Sequence, residues 1–209
     1  MFSLKIGFLF FLVLQLTLGK KYHNYEEPQW ELIGNQPEDG SYEVRRYSAA
    51  NWTSTDQSAV NKDLKSSEAF RRLFKYIRGA NKGKTVMDMT VPAITRIPGQ
   101  PCPFCHITFR MSFYVPPKFQ SNPPAPTDTR VETEEMSERI FYVRTFSGYA
   151  VAKDWQKNAA LLYSSLLRNG VSASSVDRSM YYAVGYDKPT RLFLHRNEVW
   201  LMSTNDNLV

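Results

Sequence analysis

The residues best suited to chemistry in this chain are Cys102, Cys105 and His106, which lie in one short segment. Their C-x-x-C-H spacing is the attachment pattern of covalent c-type haem, in which two thiols add to vinyl groups and the histidine binds iron. In an oxidising compartment the two cysteines can instead close a small disulfide, or they can stay free while His106 opens the next strand. We favour these simpler interpretations, because covalent haem attachment requires dedicated machinery.

Two other cysteine chemistries fit this segment less well. Thioredoxin-like redox chemistry uses a helix N-terminus to lower the thiol pKa, whereas a β-like sequence follows His106. A structural zinc site needs four ligands, and no second pair of ligands accompanies the cysteines.

Motifs of known catalytic sites are missing from the sequence. It contains no glycine-rich phosphate loop, no nucleophile elbow and no H-E-x-x-H. The acidic cluster of residues 132–138 alternates with Thr and Met, which is typical of a solvated strand edge. We therefore expect no catalytic residues and a protein that is not an enzyme.

The first residues predict a secretory signal peptide over 1–19. Lys5 provides a positive start, residues 6–18 are almost entirely apolar, and Thr17 and Gly19 are small residues at the −3 and −1 positions of a cleavage site. The apolar run is shorter than the roughly 20 residues that span a bilayer. We expect no membrane span, and a secreted, extracellular mature chain.

Two surface features bear on modification and partners. Asn51, with Trp52 and Thr53, forms an N-glycosylation acceptor that the secretory route would make usable, so we expect a glycoprotein. The net charge is +6, but Lys and Arg are scattered along the chain without a dense basic run. This distribution favours a solvated basic surface over nucleic-acid binding.

Hydrophobic periodicity predicts one α+β domain over 41–209, preceded by a polar lead-in at 20–40. Helices are predicted at 63–78 and 154–168, and strands at 41–52, 86–94, 107–115, 130–133, 139–146, 181–186 and 198–202. Residues 44–48 resemble residues 143–147, and each segment precedes a helix. The order of strand, helix and strands in both halves indicates a duplicated α+β unit.

The first predicted helix places four large apolar residues on one face, at i, i+3, i+4 and i+7: Phe70, Leu73, Phe74 and Ile77. Spacing alone predicts that such a face packs against the core.

Several segments, taken in order, resemble the SOUL or haem-binding protein family. They are AFRRLFKYIRGAN at 69–81, MDMTVP at 87–92, PPAP at 123–126, YVRTFSGY at 142–149, GYD at 185–187 and RNEVWL at 196–201. The resemblance extends from about residue 41 to residue 202. It implies a distorted antiparallel β-barrel with two helices, built by pseudo-two-fold duplication. It also implies reversible, non-covalent binding of haem or related tetrapyrroles without established catalysis.

The same resemblance implies a site along the first helix, on a shallow apolar surface. The matching positions are Phe70 and Phe74, one turn apart, and then Lys75. Arg191 matches a basic residue that assists with the propionates. Aromatic faces can cover the porphyrin, and the cations can pair with its carboxylates. No histidine matches a family motif; His195 is the best candidate for an axial iron ligand because it lies four residues from Arg191.

Two functions from different classes follow. The first is a secreted haem carrier, scavenger or buffer. The second is an extracellular protein–protein interaction module that uses the same hydrophobic surface, since solvent-facing aromatics beside a basic rim are also typical of binding hot spots. Both require that Phe70 and Phe74 are not sealed inside the core.

Overall fold

The structure is a computed structural model that describes residues 21–60, 67–99, 106–187 and 195–205. Its two helices are α1 (Ser67–Ile77) and α2 (Ala152–Arg168). Its strands are β1 (Lys21–Tyr22), β2 (Tyr25–Glu26), β3 (Trp30–Leu32), β4 (Glu43–Tyr47), β5 (Ala50–Val60), β6 (Ala93–Pro98), β7 (His106–Tyr114), β8 (Val131–Met136), β9 (Arg139–Ser147), β10 (Met180–Gly185) and β11 (Arg196–Met202).

Nine strands form one curled antiparallel sheet in the order β3-β4-β9-β11-β10-β6-β7-β5-β8, while β1 and β2 form a separate hairpin. The concave interior is filled by large aromatic and aliphatic side chains, among them Trp52, Phe141, Tyr182 and Trp200. The two helices cover the opposite face and enclose a second core there. The predicted α+β fold, a distorted antiparallel barrel with two helices, is confirmed.

The pattern of α1 explains both its packing and its ends. Leu73 and Ile77 are buried against the sheet as the spacing predicts. The side-chain oxygen of Gln57 in β5 accepts a hydrogen bond from the Ala69 N–H in the first turn, which would otherwise lack a partner. Gly79 ends the helix at a φ of 104°, a conformation that side chains other than glycine rarely adopt.

Two predictions about the strands were wrong. Residues 86–92 form no regular strand, which begins only at Ala93. Strand β5 continues to Val60 although its middle is polar, because Ser54 is buried and hydrogen-bonds Ser112 across the sheet at 2.7 Å between the hydroxyl oxygens.

The lead-in at 20–40 contains the three short strands β1, β2 and β3. Among the described residues, no helix is long and apolar enough to cross a membrane.

A buried carboxylate connects the strands around the barrel interior. Glu198 in β11 is fully buried and accepts hydrogen bonds from Arg45 in β4, Arg196, Trp200 and Tyr186 at 2.8–3.2 Å. Burial alone would raise the pKa of Glu198, but the two arginine charges outweigh it and hold the pKa below its usual value. The glutamate therefore stays ionised and holds its partners together.

We predict that Glu198→Gln lowers the free energy of unfolding by about 3 kcal/mol, because buried Arg45 would lose its fully buried partner and keep only the half-exposed Glu43 as a counter-charge. The lowered pKa stabilises the fold above about pH 4.3 and that contribution is lost as the pH falls through the folded-state value, so the difference from the parent should narrow in acid. Denaturant titration at several pH values measures this. Glu132→Gln is the control, since Glu132 forms only an exposed ion pair with Arg110 and should change stability by at most about 1 kcal/mol.

Candidate functional site

An open groove of about 270 Å³ lies on the helix-covered face of the sheet. Alternate residues of β6, β7 and β10 form its floor, Phe70 of α1 lies at one side, and Trp155 of α2 and His195 line it elsewhere. Since side chains alternate between the two faces of a strand, the groove is separated from the barrel interior by the sheet itself.

Small residues create the space in this groove. Ala93 pairs with Gly185 across β6 and β10, and Ala183 pairs with Thr95 in the same register. A Cβ placed on Gly185 would find no atom within 4 Å outside its chain neighbours. The floor therefore lies low between the helices, and its remaining lining includes the larger side chains Ile97, Phe109 and Met111.

Phe70 and Phe74 form a stacked pair on successive turns of α1. Their ring centroids are 6.0 Å apart and their planes differ by 13°. Phe70 also contacts Phe113 of β7 edge-on at 5.1 Å, lines the groove and is half-buried. Phe74 is 42% exposed and lies beside Phe70, outside the groove lining. Thus one ring faces the groove, the second supports it from solvent, and neither is sealed in the core.

The polar end of the groove is built by the segments around α2 and β11. The Tyr149 ring contacts the His195 ring with centroids 5.0 Å apart. Asp187 accepts a hydrogen bond from the Arg196 backbone N–H at 2.7 Å, and Asn197 donates to the Gly148 carbonyl at 2.8 Å. These contacts hold an imidazole, a carboxylate and an amide at one end of an otherwise largely apolar surface.

The structure brings together two of the residues named from sequence and separates others. Phe70 and His195 line the same groove although 125 positions apart in the chain (195 − 70). Lys75 is exposed on α1 and is not among the lining residues. Arg191, Cys102 and Cys105 lie outside the described residues, as does the predicted signal peptide.

Asn51 lies in β5 in a half-buried position. Its side-chain amide donates to the Gln120 carbonyl at 2.8 Å, and its backbone N–H donates to the Gln120 side chain. A glycan on this nitrogen would replace the first of these hydrogen bonds. Glycosylation at Asn51 stays a prediction.

Sequence reasoning missed several lining residues. Trp155 sits in the first turn of α2, with its ring 5.0 Å from Phe146. The small floor residues Ala93, Ala183 and Gly185 carry no chemical signal, because what matters is the space they leave. Only the β6–β10 register shows that they are neighbours. Within the described ranges, no group of three or more His, Cys, Asp or Glu residues is placed to hold a metal ion.

Comparison with known proteins agrees with this architecture. A family model described as SOUL heme-binding protein matches residues 25–202. Heme-binding protein 2 of Homo sapiens is 34% identical over 87% of this chain and 87% of its own length. Heme-binding protein 1 of Xenopus tropicalis is 32% identical over 86% of this chain and 93% of its own.

A solved structure shares the fold at low sequence identity. A hydrolase from Listeria innocua aligns with a TM-score of 0.54 and 10% identity, covering 88% of this chain and 94% of that one. At this identity the likeness concerns the fold alone. The family match and the relatives, by contrast, extend over most of the sequence, and the family match includes the RNEVWL strand that carries Glu198. The chain belongs to the SOUL heme-binding protein family.

Proposed function

We propose that this protein binds haem or a related tetrapyrrole non-covalently and reversibly in the groove beside α1. The observation that carries the proposal is the placement of Phe70, an apolar floor and the His195 imidazole around one open groove. A tetrapyrrole is a flat apolar disc with a carboxylate edge, and it needs an apolar platform more than a deep cavity.

The groove fits the chemistry of such a ligand. Phe70 offers an aromatic face backed by Phe74, and burying one such ring contributes roughly 2–3 kcal/mol. Among the described lining residues none is Lys or Arg, so the propionates would extend past the groove towards cations on its rim. Lys75 on α1 and Arg191, in the segment before β11, are our candidates for that role.

We further propose that binding takes place outside the cell, as a carrier, scavenger or buffer. The predicted signal peptide supports this location, as does the acceptor sequence at Asn51. Since the proposed role is reversible binding, no residue is assigned a catalytic part.

A protein-interaction role is the second candidate, and the rim of the groove favours it. Tyr149 is 66% exposed and Val151 is 50% exposed, at the end of the groove where α2 begins. Exposed aromatic and aliphatic side chains of this kind are typical contacts with a protein partner. A partner on the rim would not need the floor, which distinguishes the two functions.

We predict that Gly185→Leu abolishes or weakens hemin binding at least about tenfold by filling the groove. The variant should fold, because Gly185 has no positive φ and a side chain there meets open space. The shift of the Soret band and the quenching of tryptophan fluorescence on hemin titration measure binding; Trp155 lies in the groove and reports directly. If the folded variant binds hemin with unchanged affinity, hemin does not bind in this groove. That result would favour the protein-interaction role of the rim.

We predict that Phe70→Ala/Phe74→Ala weakens hemin binding by about one to two orders of magnitude, since the Phe70 contact is lost together with the Phe74 ring that supports it. Phe70→Ala alone should account for most of the loss, because Phe74 acts through its neighbour. Leu161→Ala is the control: Leu161 is exposed on α2 and does not line the groove. Thermal unfolding of each variant separates lost binding from lost packing against Phe113. If the double variant and the control bind hemin with equal affinity, the two phenylalanine rings do not form the binding surface.

We predict that His195 ligates the haem iron. In His195→Ala the Soret band and the electron paramagnetic resonance spectrum of the ferric complex should change, because the axial nitrogen is lost, while the apolar contacts keep the affinity within about tenfold. His23→Ala is the control, since His23 lies beside Tyr22 in the β1–β2 hairpin and away from the groove lining. Identical spectra for parent and His195→Ala would assign the iron a different ligand.

A further inference from the structure

A second cavity of about 310 Å³ lies on the other flank of α2, lined by residues distinct from those of the haem groove. One face of α2 forms its wall, through Gln156, Ala159, Ala160, Tyr163 and Ser164. The opposite side consists of Gly99 and of residues from β10, β11 and the segment before β10. The space exists because the α2 residues facing it are mostly small, so the helix does not fill the gap to the sheet.

Arg178 is the one cation among the described lining residues, and its guanidinium lies over the Tyr163 ring, 4.2 Å from the centroid. Within the described part of the chain it forms no ion pair with a carboxylate; the adjacent Asp177 instead accepts a hydrogen bond from the Ser179 N–H at 2.8 Å. A guanidinium held on an aromatic ring keeps its N–H edge for an anion.

Tyr181 provides the second, independent observation. Its side chain lines the cavity and is only 3% exposed, yet its hydroxyl has no hydrogen-bond partner in the protein. A buried polar group without a partner is costly, and native structures seldom leave one. The hydroxyl is closed off from solvent in the empty protein, so an acceptor atom from the cavity would satisfy it after a small movement of the Tyr181 ring or its neighbours.

From these features we propose that the cavity is a second ligand site, for a small aromatic monocarboxylate that carries an oxygen acceptor at the end opposite its carboxylate. One guanidinium matches one carboxylate, and no second cation lines the described cavity to favour a more highly charged anion. Tyr163, Met180 and Leu201 provide an apolar surface for the ring. After a small movement that opens the Tyr181 hydroxyl to the cavity, this hydroxyl donates to the distal oxygen. The site is independent of haem.

The test is a titration of the full mature chain with 4-acetylbenzoate, followed by backbone amide NMR shifts. Shifts should centre on residues 156–164 and 178–181. Arg178→Gln should lower the affinity about tenfold or more, because a charged hydrogen bond is lost. Lys157→Gln removes the same charge from an exposed position on α2 outside the cavity and should leave the affinity unchanged. Loss of binding in both variants, or shifts elsewhere, would overturn the proposal.

A second pair of measurements tests the tyrosine. Tyr181→Phe should weaken 4-acetylbenzoate several-fold but leave 4-isopropylbenzoate, which has the same shape without the acceptor, unaffected. The same variant should not lower the melting temperature of the empty protein, since its hydroxyl has no partner to lose. If Tyr181→Phe weakens the binding of both ligands equally, the Tyr181 hydroxyl does not recognise the distal acceptor, and that part of the proposal is wrong. Hemin binding should be unchanged in Arg178→Gln, which separates this site from the haem groove.

Discussion

The buried carboxylate of Glu198 is the constraint around which the sheet is organised. Its charge can remain inside the barrel only because two arginines, a tryptophan and a tyrosine all donate to it. These donors come from β4, β11 and the residue after β10. Pairing this one charge therefore fixes how these three segments lie relative to one another. With Glu198 and Trp200 facing inward, the intervening residues of β11 must face the helices. This polar network thereby determines which face of the sheet carries the residues that line the groove.

Filling the interior decides where a ligand can bind. Barrels of this size often hold a ligand inside, but here bulky rings occupy the interior, including Trp200, which packs against Tyr47 with centroids 4.6 Å apart. Space is left instead on the outer face, where Ala93, Ala183 and Gly185 meet between the helices. In the function that we propose, a flat ligand rests on this outer face of the sheet, in contact with α1. Such a shallow site is consistent with reversible binding.

The duplicated plan gives α1 and α2 comparable positions but different surroundings. α1 presents the Phe70 ring to the groove, whereas α2 carries mostly small residues on the side that faces the second cavity. The first arrangement provides a platform and the second leaves a gap. The two cavities share the sheet face but none of the described lining residues, and α2 contributes to both.

Local periodicity was enough to predict the α+β class, the limits of both helices to within a few residues, and the burial of Leu73 and Ile77. Family resemblance added the barrel and directed attention to Phe70. Three features could not be predicted before the chain was folded: Phe70 and His195 share one groove, the polar middle of β5 is a buried strand, and Tyr181 is buried with a hydroxyl that has no partner. Each of these depends on which strands pair and in what register, and register joins residues far apart in the chain through backbone hydrogen bonds that no local pattern records.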